Sequence, residues 1–151
     1  MFESNKDVTT LNSLIATTID SINGYRESAH AVESEQFLAL FEALARDRQQ
    51  ALSQLQAEVS RLGGKPEDDG TALAAAHRVF VDLKSAITGR DDKAVINEVE
   101  RGEDHIKHKF EEALSDDDLA AETRSVIQTA FESVRRGHDR VRDLKHSLES
   151  A

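Results

Sequence analysis

From Val8 onward, apolar or small residues recur at Val8, Leu11, Ile15, Thr18, Ile22, Tyr25, Ala29 and Val32. Alternating steps of three and four keep one face of an α-helix apolar, so the pattern predicts a long first helix. A second stripe begins near Ser34 and runs through Phe37, Phe41, Leu44, Arg48, Ala51, Leu55 and Leu62, with Leu38, Leu52 and Val59 beside it. Gly63-Gly64 marks its end, as glycine does past a helix C-terminus. Pro66 opens a linker, and Thr71 to Thr88 reads as a shorter helix carrying Leu73, Val79, Phe80, Leu83 and Ile87. The next helix starts at Asp91-Asp92 with the stripe Val95, Val99, Gly102, Ile106, Phe110 and Ala113. The last runs from about Asp117 through Ala120, Thr123, Ile127, Ala130, Val134, Gly137, Val141, Leu144 and Leu148, behind a Ser115-x-x-Asp118 capping-box pattern.

This order predicts an all-α fold: a long antiparallel pair, a long connection holding one short extra helix, and a second antiparallel pair. An up-down-up-down bundle needs only a short loop after Gly64, so the 71–88 helix favours a ferritin-like four-helix bundle with a long crossover. Composition agrees. The 151 residues fit one domain over 1–151, and one proline, seven glycines and no cysteine exclude collagen-like, disulfide-stapled and sandwich folds. With 38% apolar residues and 5% aromatic, the core is slim.

Charge narrows the function classes. Nineteen basic and 29 acidic side chains leave a net charge of −10. That balance repels phosphate backbones and anionic lipid, so neither nucleic acid nor membrane is an expected partner. No apolar run reaches the length of a membrane span and the N-terminus lacks a signal-peptide pattern, which points to a cytoplasmic protein. The acidic runs Glu67-Asp68-Asp69, Asp91-Asp92 and Asp116-Asp117-Asp118 fall at expected helix starts, where anions complement the helix dipole. They lack the spacing of an EF-hand loop.

The segments GYRESAHAV (24–32), QAEVSRLGG (56–64), AAHRVFVDLKSAITG (75–89), ERGEDHIKHKFEEAL (100–114) and HDRVRDLK (138–145) resemble the bacterial ferritin-like family called domain of unknown function 2383. The likeness covers nearly the whole chain. It implies a ferritin-like four-helix bundle and no established reaction.

A ferritin-like dinuclear site needs one carboxylate from each of two helices and Glu-x-x-His from each of the others, all pointing inward. Here Glu27-x-x-His30 lies off its stripe, the inward mid-helix position of the second helix is Arg48, and Glu132-x-x-Arg135 replaces the pair on the last helix. Counting helical rise from the assumed topology places Glu103 and His105 at the level of Thr18 and Arg48, with Arg26 and Glu98 nearer one end. The expected polar network is therefore Arg48 with Glu103 and Arg26 with Glu98, His105 alongside, because a buried arginine needs a partner. His30, Glu98 and His138 form the remaining candidate metal set, for iron or zinc; no cofactor is otherwise implied.

Gly102 and Gly137 interrupt core stripes at a cost of about 1 kcal/mol each, which close helix approach or room for a ligand would offset; Gly24 is a third such position. No nucleophile elbow, Walker loop, dinucleotide fingerprint or zinc-finger spacing occurs, so catalysis has little support. Leu14, Ile19, Leu40, Leu52 and Phe131 widen the apolar faces, favouring a homodimer or a protein partner. The leading expectation is a non-catalytic bundle acting through self-association or protein binding. The alternative is a metal-binding or oxidative-stress protein with a diverged ferritin-like site.

Overall fold

The computed structural model describes residues 2–69 and 92–150. Four α-helices make up its regular structure: α1 (Phe2–Ala31), α2 (Glu35–Arg61), α3 (Asp92–Leu114) and α4 (Ala121–Ser150). The helix expected over 71–88 lies outside the described residues. Among the described residues, no helix is long and apolar enough to cross a membrane.

Local chemistry sets the helix ends. The Ser34 side chain accepts the Phe37 amide at 3.4 Å, capping α2. At the other end Gly63 adopts φ +82°, a left-handed conformation that glycine enters without penalty, and the Gly64 amide returns to the Val59 carbonyl at 3.0 Å. Gly64 also lies against α1: a Cβ there would stand 2.9 Å from the Val8 methyls.

Side-chain contacts fix the helix directions. The end of α2 meets the start of α1, where Asn12 bonds the Lys65 carbonyl and the Glu67 amide. The start of α3 meets the end of α1, where Asp92 accepts the Glu33 and Ser34 amides at 3.1 and 3.3 Å. Glu58 bonds Thr123 and Asp47 bonds Ser133, so α4 runs antiparallel to α2. Thus α2 and α3 point the same way, and α1 and α4 point the other. Helix α1 packs on α2 and α3, and α4 packs on the same two.

The four stripes face one another, but the apolar core is divided. One cluster includes Leu11, Leu14, Ile15, Leu55, Ile106, Phe110, Ile127 and Val134; the other includes Tyr25, Phe37, Phe41, Leu44, Val95, Ile96 and Val141. Leu14 and Leu52 are core residues, while Ile19, Leu40 and Phe131 are half-buried against it. The residues expected to widen outer faces therefore thicken the core, because each helix buries a face broader than a two-position seam. Phe131 stacks on Phe110 with centroids 5.8 Å apart.

Each hairpin caps the other. Asp92 at the start of α3 holds the α1–α2 turn, and Asp7 near the start of α1 accepts the Ala120 amide at 3.2 Å, just before α4. Ser115 and Asp118 do not form the expected capping box: Ser115 bonds the Glu112 carbonyl, and the Asp118 amide turns back to Asp116. The cap arrives from α1 instead. Lys6 adds ion pairs to Asp116 and Asp118 at 3.4 and 3.0 Å, and Arg124 donates to the Leu114 carbonyl at 2.7 Å, closing the end of α3.

Loss of an N-terminal cap typically costs about 1 kcal/mol. Asp7→Ala and Asp92→Ala should each destabilise by at least that amount in urea titrations. Their effects should add, since the caps sit at opposite ends and share no partner.

Candidate functional site

The division in the core is a polar layer to which every helix contributes. Arg48 on α2 is 1% exposed, Glu103 on α3 is 2% exposed, and Tyr25 on α1 is 2% exposed. The Arg48 guanidinium grips Glu103 end-on: Nη2 donates to Oε2 at 3.0 Å and Nη1 donates to Oε1. Nη1 also donates to Ser21 Oγ at 2.7 Å, and Nη2 reaches the Val134 carbonyl of α4 at 3.4 Å. The Tyr25 hydroxyl donates to Glu103 Oε1. Its ring lies 5.2 Å from the guanidinium carbon and 6.1 Å from the Phe41 ring. Arg48 Nε has no acceptor.

Gly137 supplies the space. A Cβ at that position would lie 2.5 Å from Arg48 Nη2 and 3.5 Å from Glu103 Oε2. The glycine that costs α4 helical propensity thus forms the recess for the guanidinium. Gly102 and Gly24 have no such role: nothing lies within 4 Å of a Cβ at either, and Gly102 is exposed. On α3 the inward position is Glu103, one residue beyond the expected stripe.

The electrostatics hold one protonation pattern. Burial opposes the Arg48 charge, but the Tyr25 and Glu103 oxygens more than offset it, leaving its pKa above the usual arginine value. Burial, followed by the Glu103 charge, pushes the Tyr25 phenol well above its usual range, so it remains a donor. The layer is a fixed cation bound to a carboxylate, with a neutral phenol completing it.

The other sequence candidates lie apart. Arg26 is exposed, and Glu98 pairs with Arg101 at 3.2 Å, so the expected Arg26–Glu98 layer does not form. The register explains this: Tyr25 meets Glu103, which sets Arg26 beside the level of Gly102, one helical turn from Glu98. His105 is exposed and does not join the network. Thr18 is buried but bonds its own helix at the Leu14 carbonyl, and Ser21 one turn on is what meets Arg48.

The metal set His30, Glu98 and His138 does not converge. His30 is exposed, Glu98 turns to Arg101, and His138 Nε2 is 2.7 Å from Asp104. That last contact puts His138 near the Glu103 level, more than one turn from His30. Among the described residues, Glu67, Asp68 and Asp69 bring three ligand-type oxygens together; all lie in the loop after α2, where Glu67 accepts the Asp68 and Asp69 amides at 3.3 Å.

A second polar cluster lies where α2 meets α4. Glu58, 4% exposed, accepts Arg61 Nε and Nη2 at 2.7 Å and the Thr123 hydroxyl at 3.0 Å. The Arg61 bonds lead in holding its carboxyl below the usual glutamate range. Arg61 reaches on to Glu122 at 3.0 Å. A shallow groove of about 370 Å³ runs past these groups, lined also by Gln54, Ala57, Ser125, Val126 and Thr129.

Fold and site define an all-α four-helix bundle with a buried arginine–glutamate layer across its middle. The family model described as Domain of unknown function (DUF2383) matches residues 6–116. The chain belongs to that family. No curated protein matches it.

Removing one partner of a buried ion pair typically costs about 3–5 kcal/mol. Arg48→Met should lose stability of that order in chemical denaturation, because Glu103 stays buried without its cation. Gly137→Ala should destabilise the native chain but do little in the Arg48→Met background, whereas Gly102→Ala should stabilise by about 0.5–1 kcal/mol.

Glu58 gives a pH signature. Its folded pKa is depressed, so its contribution is present above the unfolded value and lost as pH falls through the folded one. Melting temperature should drop from about pH 4.3 downward, and Glu58→Gln should flatten that part of the profile.

Proposed function

We propose that this protein is a ferritin-like helical bundle that works by binding, through self-association or a protein partner, and not by catalysis. The ferritin-like reading rests on the parallel run of α2 and α3. The chain between Leu62 and Asp92 begins at one end of the bundle and finishes at the other, as a long crossover requires. The 71–88 amphipathic segment falls within that stretch.

The observation that carries the non-catalytic reading is the occupant of the middle layer. Dinuclear chemistry in this architecture needs inward carboxylates and histidines at one level. Here the inward carboxylate of that level, Glu103, has both oxygens bound by a permanently charged guanidinium. A metal ion there would meet a cation in place of a ligand. Of the other buried carboxylates among the described residues, Glu58 is held by Arg61 and Thr123, and Asp7 gives Oδ2 to the Ala120 amide while its Oδ1 has no hydrogen-bond partner.

The described surface favours a polar, transient contact. Among the described residues, Leu38 at 37% is the exposed large hydrophobic side chain, and obligate dimers usually bury a more apolar face. Elemental analysis of protein purified without added metal, titration with iron(II) and zinc(II), and light scattering from micromolar to millimolar protein test the proposal together. The expected result is no stoichiometric metal, no saturable titration, and a mass that rises with concentration and falls with salt. Metal retained at stoichiometry and lost in His138→Ala would reject it in favour of a diverged metal site. A constant monomeric mass with no captured partner would reject the binding role.

A further inference from the structure

We infer that the Arg48–Glu103–Tyr25 layer is a register lock: it selects the one alignment in which the α3–α4 hairpin docks on the α1–α2 hairpin. One heptad to either side of Arg48, Glu103 and Gly137 the seam is apolar. Phe41 and Leu55 flank Arg48, Ile96 and Phe110 flank Glu103, and Ala130 and Leu144 flank Gly137. Five of these six are at most 1% exposed, and Leu144 packs against the core. Sliding one hairpin by seven residues, about 10 Å, would therefore still set apolar side chains against apolar side chains. Apolar packing of this kind tolerates rearrangement if volume and pattern are kept.

The polar layer does not tolerate it. After such a slip Arg48 would face Ile96 or Phe110 on α3 and Ala130 or Leu144 on α4. The guanidinium would lose its carboxylate, and the Gly137 recess would sit elsewhere. Glu103 and the Tyr25 hydroxyl would be stranded as well. Burying an unpaired charge is far costlier than mismatching apolar volumes. The network draws from both hairpins: Ser21, Tyr25 and Arg48 from the first, and Glu103, the Val134 carbonyl and the Gly137 recess from the second. A single polar position inside a heptad seam specifies alignment in coiled coils by the same physics.

The test separates alignment from stability. The chain has no cysteine, so Ser60→Cys on α2 and Gln128→Cys on α4, both exposed, accept spin labels without background. The labelled full-length chain should give one interspin distance by pulsed electron resonance. The apolar triple variant Tyr25→Phe/Arg48→Met/Glu103→Leu removes the lock without leaving a buried charge. It should melt at or above the parent temperature and yet show a second distance population, displaced by about 10 Å along the bundle. Gly102→Ala, as a control outside the layer, should keep the single distance. A single parental distance in the triple variant would overturn the inference, because the end caps and the apolar packing would then suffice to set the register. Loss of folding in the triple variant would also overturn it, by showing that the layer supplies stability and not alignment.

Discussion

The structure depends on one buried charge finding its partner. Arg48 carries a permanent cation into the middle of a slim bundle, and the surroundings satisfy both of its terminal nitrogens, leaving only Nε without an acceptor. Glu103 takes both guanidinium ends, Ser21 and the Val134 carbonyl take further hydrogens, and the Tyr25 ring covers the face. Gly137 gives up its side chain so that the guanidinium fits. A salt bridge of this kind is weak support for stability, since an apolar substitute of equal volume often does as well. Its consequence is geometric, because it ties four helices to one level and splits the apolar core into two clusters.

The ends of the bundle repeat the theme with carboxylates and backbone amides. Asp7 and Asp92 each leave their own hairpin to cap the turn of the other. The two hairpins are thus joined at three levels: one cap at each end and the ion-pair layer between. This also gives part of the −10 charge a structural role. Asp92 caps a turn, Asp116 bonds the Asp118 amide and pairs with Lys6, and Glu67 folds its loop by accepting two amides. Acidic side chains at amide-rich turns complement orphan donors that the helices cannot satisfy themselves.

How much of this is legible in the sequence depends on whether local periodicity or inter-helix register carries it. The stripes on α1, α2 and α4 are read directly from spacing, because a helix turns by a constant angle per residue. The α3 stripe is misread at one position, since Gly102 passes as a core residue beside the charged Glu103, and only the partner helix shows which of the two points inward. Arg48 and Glu103 can be set at one level from helical rise alone. Arg26 and Glu98 cannot, because one turn of error between helices separates a pair entirely. Tyr25 reads as an ordinary apolar position, and its hydroxyl becomes part of the site only once Glu103 is known to face it. Asp7 gives no signal at all: a carboxylate early in one helix caps another helix more than a hundred residues later.

The same layer links architecture to function. A bundle of this topology offers an enclosed level where carboxylates from facing helices converge, and its chemistry follows from which cations fill that level. Metal chemistry requires an exchangeable ion and open coordination positions. A guanidinium is covalently attached, cannot leave, and has no vacant orbital to polarise a substrate. Here the fixed cation binds both oxygens of Glu103, and the Tyr25 phenol donates a third hydrogen bond to Oε1. Under the binding role proposed above, the outer surface carries the contact, and a level tied across four helices gives that surface a rigid support.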